Sequence, residues 1–234
     1  MTSLASAHEI SIPGRIGPLS LSIQAAELIA VVGPNGGGKT SLLRALAQVE
    51  EASGEVEIGG EVIAAVAPNR RTRLIGLLPA SRDTAWPVRV RDLLTLGLSS
   101  HDSKAIEDEF EAFELAPLAG RTVDRLSTGE RSRVLLARMF AADPALMLLD
   151  EPLANLDPYW VRRLLDRLQE RKRDASAATL ATLHDLAQLH HFDRVIGVEN
   201  GSIAFDGPPD CFLTSVSFEN IFRISAAELG LQLS

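Results

Sequence analysis

The run Gly33-Pro34-Asn35-Gly36-Gly37-Gly38-Lys39-Thr40, with Ser41 behind it, has the residue types and spacing to hold a polyphosphate. Glycines let the backbone curl so that successive N–H groups converge on one anion. A helix beginning at the end of the run adds the positive end of its dipole. Lys39 is long enough to reach β- and γ-phosphates, and the Thr40 hydroxyl can ligate Mg²⁺. The pattern is GxxxxGK[ST], which requires a strand before it and a helix after it. A glycine-rich turn with a stray lysine is the plainer alternative. Lysine, however, occurs only at 39, 104 and 172, against 20 arginines, so an accidental match is rare.

A second chemical group follows far downstream. Ala145-Leu146-Met147-Leu148-Leu149 is an apolar segment that ends in Asp150-Glu151. An aspartate at the end of such a strand organises Mg²⁺ in phosphate-loop NTPases. The glutamate behind it is placed to polarise an attacking water as general base. Two solvated acids at a strand end would look the same in isolation. The phosphate loop upstream gives the pair its weight.

The elements that must position these groups are legible in outline. Residues 19–32 alternate and then run apolar into Gly33, which predicts a buried strand ending at the glycine loop. Thr40 to Gln48 has helical spacing, with Leu42, Leu43 and Leu46 on one face. Residues 53–63 read as a hairpin about Gly59-Gly60, and 74–78 as a short strand. From about 88 to 140 the pattern is helical. Strands follow at 145–149, 179–183 and 194–198, with an amphipathic helix over 158–173. Strands alternating with helices predict a parallel sheet with crossovers.

Composition narrows the class. The chain has 234 residues, 46% hydrophobic and 23% charged, with a formal net charge of −8. That is globular rather than disordered, and the negative balance argues against a nucleic-acid partner. One cysteine excludes a disulfide framework. No apolar run approaches the length of a membrane helix, and MTSLASAHEI has no secretion-signal pattern. A cytoplasmic protein is expected.

Three further segments carry a resemblance. Leu126-Ser127-Thr128-Gly129-Glu130 is similar to the LSGGQ signature loop of ABC-type ATPases. Glu151-Pro152-Leu153-Ala154-Asn155-Leu156-Asp157 resembles their D-loop, and Thr182-Leu183-His184-Asp185 their switch-histidine segment. With the phosphate loop and Asp150-Glu151 they fall in that family's order over nearly the whole chain. The resemblance implies an α/β fold: a P-loop NTPase core, an N-terminal antiparallel β subdomain and an inserted α-helical subdomain at about 82–138, all in one domain over 1–234. It implies ATP and Mg²⁺ as cofactors, with Gly33 to Ser41 on the nucleotide, and Thr40 and Asp150 on the metal, partly through water. Catalytic roles then fall to Lys39, Glu151 and His184. Ser127 and Gly129 would meet the nucleotide held by a paired subunit, and Asp157 would lie at that dimer contact. The same LSTGE segment also spells a helix capping box, and the two readings are compatible.

The pattern is broken in places. The family's glutamine after the strand at 74–78 is here Ala80, and no glutamine occurs between Gln48 and Gln169. Alanine has no oxygen for a metal, so Ser81, Asp83 or water would have to take over. Residues 1–32 contain no Phe, Trp or Tyr to stack an adenine, leaving His8, Ile12, Arg15 or Ile16 to pack there. His190 and His191 lack further ligands to form a metal site.

The stretch from Trp86 to Gly97 and the tail from Gly207 to Phe222 resemble importers of iron-siderophores, haem and cobalamin. Trp86 is a candidate for the permease groove, or equally a core aromatic. The expected role is the ATPase subunit of such an importer, peripheral on the inner face of the cell membrane through a transmembrane permease, paired with a second ATPase subunit and served indirectly by a substrate-binding protein. The alternatives are a soluble ABC-type ATPase, such as one in iron–sulfur assembly, and a nucleotide-gated module of low turnover.

Overall fold

The computed structural model describes residues 3–81, 87–96, 98 and 103–231. Asp83 and Trp86 lie outside the described residues. The elements run β1 (Ala5–Ile12), β2 (Ile16–Ile23), β3 (Leu28–Val32), α1 (Lys39–Leu46), β4 (Ser53–Ile58), β5 (Glu61–Val62), α2 (Pro68–Leu74), β6 (Ile75–Leu78), α3 (Val90–Thr95), α4 (Ser103–Ala112), α5 (Thr128–Ala142), β7 (Leu146–Leu149), α6 (Pro158–Arg171), β8 (Ala178–Thr182), β9 (Arg194–Glu199), β10 (Ser202–Gly207), α7 (Pro209–Leu213) and α8 (Val216–Phe222).

Two sheets organise them. One is antiparallel, in the order β2-β1-β4-β5; the other has six strands in the order β10-β9-β3-β8-β7-β6. In the six-stranded sheet β9, β3, β8, β7 and β6 pair in parallel, and β10 closes one edge antiparallel to β9. Every residue of β3, β7 and β8 is buried, as expected of strands covered on both faces; β3 and β7 are continuous apolar runs, and β8 carries Thr179 and Thr182 among its apolar residues.

The alternation of the strands divides the core into two layers. Ile29 and Val31 of β3 pack with Leu146 and Leu148 of β7, Leu42, Leu43 and Leu46 of α1, and the inner face of the antiparallel sheet. Leu28, Ala30 and Val32 face the other way, into a layer built with α3, α5, α6, α7 and α8. The period of two in a strand is what lets one short segment seal both layers. α3 and α4 pack against α5, and their buried residues are continuous with the second layer. Among the described residues, no helix is long and apolar enough to cross a membrane.

Several elements go beyond the sequence reading, β1, α2 and β10 among them. β1 buries Ala5 and Ala7, then Ile10 and Ile12, with the pairing register shifting between Ala7 and Ile10. Glu9 sits there at φ +47. A bulge of this kind breaks the alternation that would have announced the strand. α2 (PNRRTRL) buries only Leu74, and β10 has no fully buried residue, so neither carries an apolar period. The Asn200-Gly201 turn between β9 and β10 was the available signal for that hairpin.

Candidate functional site

Parallel strands bring their carboxyl ends to one edge, and the loops leaving that edge build the site. In spatial order, β3 leads into the glycine loop, β8 ends in Thr182 with His184 just beyond, β7 leads into Asp150-Glu151, and β6 leads toward Ala80. The register sets Val31 against Thr182, Ala181 against Leu149, and Leu78 against Leu149.

The glycine loop is shaped by its neighbours. Gly33 has φ +153, and a Cβ there would come within 2.0 Å of the Val198 carbonyl oxygen. No other residue fits that turn. Gly201 N–H donates to the Gly37 carbonyl at 2.9 Å, and Gly17 N–H to the Gly201 carbonyl at 2.9 Å. The β9–β10 hairpin and the start of β2 therefore buttress the loop. Lys39 opens α1 and is buried, its Nζ donating to the carbonyls of Gly33 at 2.8 Å and Pro34 at 3.1 Å. Burial pulls its ammonium below the usual lysine range, against the raising influence of Glu151 and Asp150.

A cavity of about 410 Å³ opens over the loop, lined by Asn35 to Ser41, Arg44, Glu151, Gly14 and Arg15. Of the four residues considered for packing on a base, Arg15 alone reaches it. Ile12 and Ile16 are buried in the core, and His8 is on the exposed side of β1. Arg15 stands at the mouth, 55% exposed, with its guanidinium 3.2 Å from Glu50 Oε2. Glu50 Oε1 accepts from Arg44 at 2.6 Å, so one carboxylate braces two guanidinium groups. Arg44 and Glu50 were not singled out from the sequence, having no motif of their own.

At the opposite side the acids form a connected chain. Asp150 is 1% exposed. Its Oδ2 accepts the Thr40 hydroxyl at 2.8 Å, its Oδ1 accepts the Thr182 hydroxyl at 2.8 Å, and its N–H donates to the Leu78 carbonyl at 2.8 Å. Thr182 Oγ1 in turn accepts the Glu151 N–H at 2.7 Å. Glu151 Oε1 lies 2.8 Å from His184 Nε2. Lys39, Thr40, Asp150, Glu151 and His184 are thus brought together.

Ser127, Gly129 and Asp157 are not in this cavity's lining. Ser127 caps α5: its hydroxyl accepts the Glu130 N–H at 3.3 Å, and its own N–H donates to Glu130 Oε2 at 2.8 Å. The capping box is formed. A Cβ on Gly129 would meet the Asn155 carbonyl at 3.0 Å, so a glycine suits this position. Asp157 caps α6, accepting the Trp160 N–H at 3.1 Å. Ala80 is half-buried, two residues past the Leu78–Leu149 pairing that precedes Glu151 on the adjacent strand.

A phosphate loop on β3, an acidic pair on β7 and a histidine after β8 define a P-loop nucleoside triphosphatase of the ATP-binding cassette type. The chain belongs to the ABC transporter family, whose profile matches residues 16–154, and it is an ABC-type ATPase. It is 35% identical to the hemin import ATP-binding protein HmuV of Nocardia farcinica, over 88% of this chain and 74% of that protein. It is 33% identical to the ferric enterobactin transport ATP-binding protein FepC of Escherichia coli, over 88% and 80%. Its fold matches a solved ATP-binding subunit of an ABC transporter with a TM-score of 0.80 at 22% identity, covering 99% and 95% of the two chains. A dimeric ATP-binding cassette bound to ADP and Pi aligns with a TM-score of 0.77 at 19% identity, covering 88% and 98%.

Proposed function

We propose that this chain powers the uptake of an iron chelate, haem or cobalamin by hydrolysing ATP beneath a separate membrane permease, with two copies or a paired subunit working together. The observation that carries the reading is the hydrogen-bonded chain Thr40–Asp150–Thr182–Glu151–His184, of which Thr40 and Glu151 line the cavity over the glycine loop. The names of the two curated relatives, hemin import and ferric enterobactin transport, support the import reading over a soluble ATPase.

In this reading Gly33 to Ser41 wrap the phosphates with backbone N–H groups, and Lys39 turns from its carbonyl partners to the β- and γ-oxygens. A hydroxyl and a carboxylate are hard oxygen donors of the kind Mg²⁺ takes, usually one or two carboxylates with substrate phosphates. Thr40 and Asp150 would hold that ion, whose charge would offset that of the phosphates. Glu151 accepts a proton from the attacking water, and His184 Nε2 orients the Glu151 carboxylate and reaches toward the transferred phosphoryl group. Ser127 and Gly129, at the positive end of α5, would complete the site of a partner copy. Asp157 would lie at that contact, and the helical region around 82–138 would carry the motion to the permease.

The test is a Glu151→Gln variant with a pull-down in mild detergent. Hydrolysis lost with ATP binding retained, together with a membrane protein in the complex and cargo uptake dependent on the chain, supports the reading. A stable complex with soluble proteins alone rejects import.

A further inference from the structure

β8 ends in a hydroxyl where the core asks only for bulk. All of its residues are buried, and Thr182 is 0% exposed. A threonine in a covered strand ordinarily satisfies its hydroxyl locally. Here the hydroxyl leaves its own strand and serves two groups on the chain after β7. It donates to Asp150 Oδ1 at 2.8 Å and accepts from the Glu151 N–H at 2.7 Å. Only a side chain that is donor and acceptor at once can do this, and no apolar residue of the same shape can replace it.

The consequence for Asp150 is directional. One carboxylate oxygen is held by Thr182, and the other accepts the Thr40 hydroxyl at 2.8 Å. Turning the carboxylate breaks both bonds together. The consequence for Glu151 lies in the backbone. Its φ is +50, a left-handed conformation that a residue with a Cβ seldom takes. Its N–H is anchored on Thr182, and its carbonyl accepts the Ala154 N–H at 3.2 Å. The main-chain turn so held aims the side chain at His184, 2.8 Å away.

We propose that Thr182 is a positioning residue for ATP hydrolysis, one buried hydroxyl fixing the orientation of both Asp150 and Glu151. The proposal rests on the roles given to those two acids above. Thr182 acts through them, by keeping one carboxylate facing Thr40 and the other facing the histidine.

Three variants test it: Thr182→Val, which keeps the shape and removes the oxygen; Thr182→Ser, which keeps the oxygen and removes a methyl; and Glu151→Gln as reference. Steady-state hydrolysis, ATP binding and thermal melting with ATP over a magnesium titration are measured on the purified chain. Thr182→Val is expected to lower kcat by about 10- to 100-fold while KM for ATP moves less than about threefold. More magnesium is expected to be needed for the same ATP-dependent rise in Tm. Thr182→Ser is expected to stay within about threefold of the parent in kcat. A Thr182→Val chain that turns over like the parent, or a serine variant as slow as the valine one, overturns the proposal, because the methyl and not the hydroxyl would then matter. A fully active Glu151→Gln chain instead removes the assignment beneath it, and the proposal with it.

Discussion

His184 Nε2 and Glu151 Oε1 stand 2.8 Å apart, on the loops that follow two adjacent parallel strands. An ionised carboxylate only accepts, so the ring N–H donates and holds that oxygen beside the histidine. Replacing the imidazole with a methyl frees that carboxylate to rotate. His184→Ala is expected to lower kcat on the order of 100-fold, within the range for a misplaced general base. Equilibrium binding of ATP is expected to change far less, and a joint measurement of the two separates positioning from binding.

Arg15 is the residue of the β1–β2 turn that reaches the mouth of the cavity, braced by Glu50 with Arg44. A planar guanidinium can stack on a purine without reading its edge. Arg15→Ala is expected to raise KM for ATP several-fold with little change in kcat, a loss on the order of 1 kcal/mol. Arg15→Tyr is expected to recover it. Competition between ATP and GTP, measured on the parent chain, is expected to show weak discrimination.

Ala80 brings no side-chain oxygen to the loop after β6, the strand paired with the β7 that leads into Glu151. Ala80→Gln supplies an amide there. In the assembled transporter, faster hydrolysis linked to transport is expected, on the order of twofold to tenfold. Unchanged rate and coupling would show that this position is indifferent.

Glu130 closes the capping box at the start of α5, and the Ser127 backbone N–H holds its carboxyl below the usual range. A folded-state pKa below the unfolded one means the contribution is complete above the unfolded carboxyl's range. It is lost as pH falls through that range and then through the folded value. Glu130→Ala is expected to cost on the order of 0.5 kcal/mol near neutral pH, modest because the carboxylate remains close to solvent. The difference from the parent in thermal or urea melts is expected to vanish in acid.

What could be read from the sequence follows from how each residue does its work. The glycine loop and the acids after β7 depend on residue type and spacing, so they were legible, as were the strands buried on both faces. β1 was hidden by its bulge at Glu9, and α2 and β10 by polar surfaces without period. Thr182 was quoted within a motif, yet its role was invisible, because a threonine in a buried strand looks like any β-branched strand former. Arg15 stood among four candidates, and the packing of Ile12 and Ile16 into the core and the placement of His8 on the exposed side of β1 separated it from them. Ser127 and Asp157 each do local work as caps at places where the family resemblance put site residues, and a linear reading cannot rank the two.

A Cβ on Gly129 would stand only 3.0 Å from the carbonyl oxygen of Asn155. The first turn of α5 and the chain a few residues past Glu151 therefore run close enough that a side chain there would force one of them to give. Any side chain at residue 129 would wedge these two segments apart by a few tenths of an ångström.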